Sequence, residues 1–435
     1  MRVLWFTNIL MPDACGYLRR PASSIGGWWM TTLLDRLKKR PGVKIAVVTA
    51  DLSHDAHFEV NGVEYYVVKG PWYAAIQARL GSLRSDLPSK CRINKYASIA
   101  KAWNPDVVHV HGTERDYGLL KSRAHIEMPV VVSLQGVMAP VARKACGELL
   151  PRETDGVVRS AVGYRAYCLN QWKALRAKVS TEEEILKSVD MVLGRTEWDH
   201  AWAWALNSNV RYRHVEELMR PEFFGAQQWT LNGCRRHQIF CTSGAQPLKG
   251  LHVLIEAVSK LRNLYPDIRL HIASGGFAPQ PENSYAKFIF RLVDRLGLQH
   301  SLAFLGWMDA REQVEQLQQA HCFVTPSFIE NGCNALQEAM LVGTPSIATS
   351  AGGLLTTIEA ERTGLNFPGG DVALLARRID RLFCDDDLAS RLGSEARMVA
   401  RARHEPDSVE RQLIAAYEEA IAQAARTSTG EKAIV

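Results

Sequence analysis

The residues from His321 to Gly353, HCFVTPSFIENGCNALQEAMLVGTPSIATSAGG, constrain the fold of this chain more than any other stretch. Residues 322–325 are a short apolar run, 326–332 carry turn chemistry, and Ala335, Leu336, Ala339 and Met340 make a stripe at helical spacing. Gly343 and Pro345 end that helix, and residues 346–349 read as a second strand leading into Gly352 and Gly353. Two carboxylates punctuate the unit: Glu330 in the loop before the helix, and Glu338 eight positions on, inside it. The amides of Gly332, Cys333, Asn334 and Ala335 open the helix without intrahelical acceptors, and the positive end of the helix dipole reinforces them. Such a tip, at the carboxyl end of a strand in an α/β sheet, suits an anion. Carboxylates beside a phosphate repel it unless they hold hydroxyls. A sugar nucleotide carries both groups.

The stretch PSFIENGCNALQEAMLVGTPSIATSAGG resembles, nearly end to end, the E-x7-E signature of retaining, GT-B-fold glycosyltransferases of family 4. The resemblance implies that Glu330 contacts the donor sugar near the reacting centre. It implies that Glu338 binds the ribose hydroxyls and that the amides of Gly332, Cys333, Asn334 and Ala335 hold the diphosphate. It further implies an α/β chain of two facing Rossmann-like domains with the active site in the cleft between them.

With 435 residues the chain is too long for one hydrophobic core and suits two domains of about 200 each. A formal charge of +6 is compatible with an anionic substrate or a membrane surface and does not require nucleic acid. Cysteines are scattered singly with no C-x-x-C pair, as in a reducing compartment. No apolar run is long enough to span a bilayer. The start, MRVLWFTNILMPDAC, is broken by Asn8 and Pro12-Asp13, unlike a signal peptide. The expectation is a cytoplasmic protein, with a peripheral place on the inner face of the membrane as an option.

In the N-terminal half, residues 3–7 are β-branched and aromatic, and a breaker-rich loop runs to Gly26-Gly27. Trp29, Leu33, Leu34 and Leu37 then repeat at helical spacing before a second strand at 44–49. Strand, glycine loop, helix, strand opens a doubly wound domain. By the resemblance, Gly26 and Gly27 face donor phosphate and acceptor. Residues 60–68 read as a hairpin about Asn61-Gly62, and 71–102 are aromatic and basic, with Trp72, Tyr73, Arg79 and Arg84. Strands at 106–111 and 129–134 end in His111 and Gln135. His111 reads either as a polar strand cap or as a catalytic group. Family members often have a histidine where Gln135 stands, contacting the donor sugar; an amide keeps a hydrogen bond there but carries no positive charge. Residues 139–180 interleave Arg143, Lys144, Arg152, Arg159, Arg165, Lys173, Arg176 and Lys178 with Tyr164, Tyr167 and Trp172. That stretch is either a solvated helix face or a surface for anionic lipid or a lipid-diphosphate acceptor.

A polar crossover at 223–236 separates an acceptor domain, 1–225, from a donor domain, 235–404. A last amphipathic helix at about 405–427 is expected to return to the first. Residues 238–242 begin the second α/β unit, and the loop SGAQPLKG precedes a helix with Val253, Leu254, Ala257, Val258 and Leu261 on one face. By the resemblance Lys249 neutralises the donor diphosphate, Gly275 lets a ligand approach, and Trp307 stands where the nucleotide base is held. An arginine customary in the family five or six residues before the lysine is replaced by Ser243 or Gly244.

These readings make the chain a retaining, metal-independent glycosyltransferase that needs no cofactor. Its donor would be a UDP-, GDP- or similar nucleotide sugar, and its acceptor a glycan or lipid-linked group, as in polysaccharide or glycoconjugate biosynthesis. The alternatives are a non-catalytic sugar-nucleotide-binding protein of the same fold and a sugar-nucleotide epimerase.

Overall fold

Strand β1 (Arg2–Thr7) alternates its side chains between two apolar layers, as the two-residue period of a strand requires. Val3 and Trp5 enter one layer with Trp29, Leu33 and Leu37 of the helix Trp28–Leu37, whereas Leu4 and Phe6 enter another with Tyr96 and Ala100 of the helix Lys90–Trp103. A sheet covered on both faces needs buried central strands, and Val3 to Thr7 of β1 are all buried. Its other strands are β2 (Lys44–Asp51), β3 (Ala56–Val60), β4 (Val63–Lys69), β5 (Val107–His111), β6 (Val130–Ser133), β7 (Met191–Gly194) and β8 (Arg211–His214). The order is β3-β4-β2-β1-β5-β6-β7-β8. All pairs are parallel except the β3–β4 hairpin, which turns at Asn61-Gly62 as the sequence predicts.

This computed structural model describes residues 1–20, 27–51, 55–70, 88–149, 161–277 and 283–428, with backbone alone at 51, 161–171, 174 and 428. Gly26, Trp72, Tyr73, Arg79, Arg84, Arg152 and Arg159 therefore lie outside the described residues, as do the side chains of Tyr164, Arg165 and Tyr167.

The second sheet holds β9 (Gln238–Thr242), β10 (Arg269–Ala273), β11 (Leu302–Gly306), β12 (Cys322–Thr325), β13 (Ser346–Thr349) and β14 (Leu365–Phe367). It is parallel throughout, in the order β11-β10-β9-β12-β13-β14. That is the 3-2-1-4-5-6 order of a Rossmann sheet, and the order reverses between β9 and β12. Leu254, Ala257, Val258 and Leu261 of the helix Leu251–Leu261 are buried, as their spacing predicts.

The chain divides into two compact units, one of Met1–Ala139, Lys173–Leu218 and Glu405–Val435, the other of Pro140–Trp172 and Met219–His404. The boundary falls before the expected 225, because Phe223 is buried in the core of the second sheet. Residues 140–172 also leave the first unit. Gly147 sits against Pro247, where a Cβ would come within 2.2 Å of the Pro247 carbonyl, and its own carbonyl accepts from His252 Nε2 at 3.2 Å. The last helix, Pro406–Ser428, lies in the first unit, where Tyr417 is fully buried and bonds to Trp5 and His109.

Candidate active site

The signature folds as strand β12, a loop, the helix Asn334–Val342 and strand β13. The loop after β9 and the loop after β12 meet at the carboxyl edge of the second sheet, beside the point where strand order reverses. Ligands of open α/β sheets bind at such points. Gly250 allows the meeting: its φ is +69°, and any Cβ would lie 2.0 Å from the Pro326 carbonyl oxygen. Phe328 N also donates to the Leu248 carbonyl at 2.8 Å. The backbone of Glu330 is held from the other side, since its carbonyl accepts from Gly353 N at 2.9 Å and a Cβ on Gly352 would come within 2.2 Å of it.

These contacts bring Lys249 and Glu330 together. Lys249 Nζ donates to Glu330 Oε1 at 2.5 Å, and Ser327 Oγ donates to the same oxygen at 2.8 Å. Burial alone would lower the Lys249 ammonium, but the charge of Glu330 overcomes it and raises the pKa above its ordinary value. The lysine is thus fully cationic at neutral pH. Ser243, at the place of the missing arginine, is buried, and its hydroxyl turns to the Gly244 carbonyl at 3.4 Å.

Cys333 caps the signature helix in extended backbone, with no capping bond from its side chain. The first-turn amides, including those of Asn334 and Ala335, point along the axis towards the loop that carries Gly332 and Glu330. One turn beyond Asn334, Glu338 is buried, and Arg220 grips both of its oxygens: Nε to Oε1 at 2.7 Å and Nη2 to Oε2 at 2.8 Å. Burial raises the Glu338 pKa and Arg220 works against that rise. Arg220 carries no local signal in the sequence; a single arginine before Pro221 gives no hint of a partner so far along the chain. Gly275 and Trp307 are also joined, because the indole covers the glycine so closely that a Cβ would lie 1.6 Å from Nε1. Trp307 itself is 58% exposed, an aromatic face open to a planar group.

In the first unit, Gly27 has φ +81° and opens the helix Trp28–Leu37, with Ile9 packed where a Cβ would stand. Gln135 lines a small cavity of about 20 Å³, room for one water, whose polar side is formed with His109, Ser133, Arg195, Glu216 and Glu217 and whose apolar side includes Trp29. Arg195 and Glu217 form a buried ion pair there at 2.7 Å. His111 requires a correction. Strand parity turns it, with His109, into the layer of Trp5 and Trp29, where it is 1% exposed and neither ring nitrogen has a partner among the described residues. Burial, with His109 beside it, holds its pKa well below the ordinary value. It is a neutral packing residue, not a group open to a ligand.

At the end of β5 and β1 lies a feature that the sequence reading missed. Asn8 Nδ2 donates to Glu114 Oε2 at 2.9 Å, while buried Glu182 accepts from Thr113 Oγ1 at 2.5 Å and Met138 N at 2.7 Å. Among the described residues no group of three or more His, Cys, Asp or Glu side chains could hold a metal ion, and no helix is long and apolar enough to cross a membrane.

Residues 235–399 match the family described as glycosyl transferases group 1. The D-inositol 3-phosphate glycosyltransferase of Corynebacterium urealyticum is 30% identical over 172 residues, which is 40% of this chain and 40% of that protein. The match thus spans about two fifths of the length of that curated relative. Among solved structures, the sucrose-phosphate synthase of Thermosynechococcus elongatus superposes with a TM-score of 0.72 at 16% identity, covering 97% of this chain and 100% of that one. HepE of Anabaena, solved in complex with UDP and glucose, superposes with a TM-score of 0.65 at 15% identity, over 96% and 99%. Residues 235–399 thus match the glycosyl transferases group 1 model, in a chain whose two Rossmann-like domains match the fold of GT-B glycosyltransferase structures.

Proposed function

We propose that this chain is a retaining glycosyltransferase moving a sugar from a nucleoside diphosphate sugar to a hydroxyl of a glycan or lipid-linked acceptor. The observation that carries the reading is the cluster at the carboxyl edge of the second sheet. It joins a cation, a carboxylate, a helix tip, a second carboxylate and an open indole on the loops of one Rossmann unit. Each matches a part of the donor. Lys249 and the helix tip take the diphosphate, Glu330 the sugar, Glu338 the ribose and Trp307 the base. A UDP-sugar is the first candidate, since UDP is what HepE was solved with.

In the step itself the anomeric C–O bond to the diphosphate breaks and a C–O bond to the acceptor oxygen forms on the same face. The acceptor proton passes to the departing phosphate oxygen. Glu338 is committed to Arg220 and ribose, so it cannot serve as partner to Glu330 in a double displacement. Charge growing on the leaving group falls on Lys249 and the helix amides, without a metal. The acceptor is assigned to the first unit, whose carboxyl edge bears Gln135. Trp172, 42% exposed among the basic residues of 139–180, supports a salt-sensitive contact with anionic lipid, which vesicle co-sedimentation at low and high salt tests.

The test of the main reading is a panel of UDP-, GDP- and other nucleotide sugars, assayed for donor hydrolysis and for transfer. NMR assigns the anomer of the product. Donor binding without hydrolysis or transfer would favour a non-catalytic binder, and an inverted anomer would end the same-face mechanism.

A further inference from the structure

The two oxygens of Glu338 are held by one guanidinium from the second residue of the Met219–His404 stretch, 118 positions away in sequence. That guanidinium is itself fixed on three sides. Its Nη2 also reaches Gln313 Oε1 at 3.1 Å, Gln313 Nε2 is anchored on the Met308 carbonyl at 2.9 Å, and its Cζ lies 4.6 Å over the ring of the fully buried Phe223. Side chains on a helix tilt towards its N-terminus, so Glu338 leans to the tip that opens at Asn334. A bidentate fork takes one lone pair on each carboxylate oxygen. One further acceptor site remains on each, on the outer flank of the carboxylate away from the fork.

We propose that Arg220 is a positioning residue that locks Glu338 so that a remaining acceptor site meets a hydroxyl of the donor ribose. The inference rests on the reading of Glu338 as the ribose ligand and adds what fixes its geometry. An unlocked glutamate has several rotamers to lose on binding, and burial without a cation drives it towards the neutral form, which offers fewer acceptor sites. Arginine suits the task because its fork is planar and permanently charged; a lysine supplies the charge without the fork.

The experiment is calorimetry with UDP and GDP and with their 2′,3′-dideoxy counterparts. The proteins are the wild type, Glu338→Ala, Arg220→Ala and Arg220→Lys, each checked for folding by circular dichroism and thermal melting. A hydrogen bond to a charged acceptor predicts a wild-type preference for the ribonucleotide of about tenfold or more. Glu338→Ala should abolish that preference. Arg220→Ala should remove most of it while leaving dideoxy affinity within about threefold, since only the hydroxyl contacts are lost. Arg220→Lys should restore part of it.

A purely structural arginine would weaken both nucleotides alike and leave their ratio unchanged, and that outcome overturns the proposal. Removing one partner of a buried ion pair can unfold a domain. If Arg220→Ala melts below the assay temperature, Arg220→Lys decides, and a wild-type ratio there overturns the proposal. A wild-type ratio retained in Glu338→Ala instead, or no preference in the wild type itself, would sink the ribose reading first and this inference with it.

Discussion

Lys249 Nζ lies 2.5 Å from Glu330 Oε1, so the cation proposed for the diphosphate and the carboxylate proposed for the sugar form one ion pair. Neither side chain can be altered without changing the electrostatic setting of the other. That coupling separates the first two predictions.

Lys249→Ala should weaken nucleoside diphosphate binding by well over tenfold and lower turnover further. A charge-assisted contact contributes roughly 1.5–3 kcal/mol, and charge on the leaving group grows as the bond breaks. Lys249→Arg should recover only part, since the guanidinium is larger and its fork is aimed differently. Calorimetry beside a turnover assay measures both. Near-normal binding in Lys249→Ala would mean that the phosphate sits elsewhere.

Glu330→Gln should behave differently. Turnover should fall steeply, while nucleoside diphosphate binding stays within about threefold, or tightens, because Lys249 no longer faces a full negative charge. The opposite pattern, normal turnover with more than about tenfold weaker binding, would remove Glu330 from the reacting region.

Glu182 predicts a pH dependence of stability. Burial, with Glu114 adding to it, pushes its carboxyl from 4.5 up to about 7, against the hydrogen bonds from Thr113 and Met138. The folded chain therefore holds this proton more tightly than the unfolded chain. The stabilisation is complete below pH 4.5 and is lost as pH rises through 7. From 4.5 to 7 the shift is 2.5 units, on the order of 3 kcal/mol. Urea unfolding between pH 4.5 and 8 should show the wild type losing roughly that much relative to Glu182→Gln, whose amide oxygen still accepts from Met138 N and whose NH2 can donate to the Thr113 hydroxyl. Parallel curves for the two proteins would rule the effect out.

Transfer activity should survive EDTA, because Lys249 and the signature helix are assigned the charge that a metal would otherwise neutralise. Activity lost on chelation and restored by Mg²⁺ or Mn²⁺ would overturn that assignment.

The signature was legible because all of its determinants are local. Apolar runs mark β12 and β13, the stripe from Ala335 to Met340 marks the helix, and Gly343 marks its end. Elements without such signals escaped. Strand β8 has the charged sequence RYRH, without the apolar run that marks a buried strand, and β14 spans only three residues. The helix Ala310–Gln319 has its start fixed by the Asp309–Glu312 capping box rather than by apolar spacing. His111 was misjudged through parity: the end of a strand is visible in sequence, but the face on which the last side chain falls is not. Arg220 was invisible for a different reason. An ion pair between distant residues leaves no periodicity, and only the fold brings its members together.

The packing of Gly147 on Pro247 and His252 bears on how such a protein can be taken apart. Because Pro140–Trp172 belongs to the second unit, the backbone passes from one unit to the other four times, at residues 139/140, 172/173, 218/219 and 404/405. A fragment starting at Met219 would leave the buried His252 ring without its carbonyl acceptor and expose the surface that Gly147 covers. A single junction after Leu218 therefore separates Pro140–Trp172 from the unit in which it packs, and a chimera that keeps this unit whole carries two separate stretches of chain from the same parent.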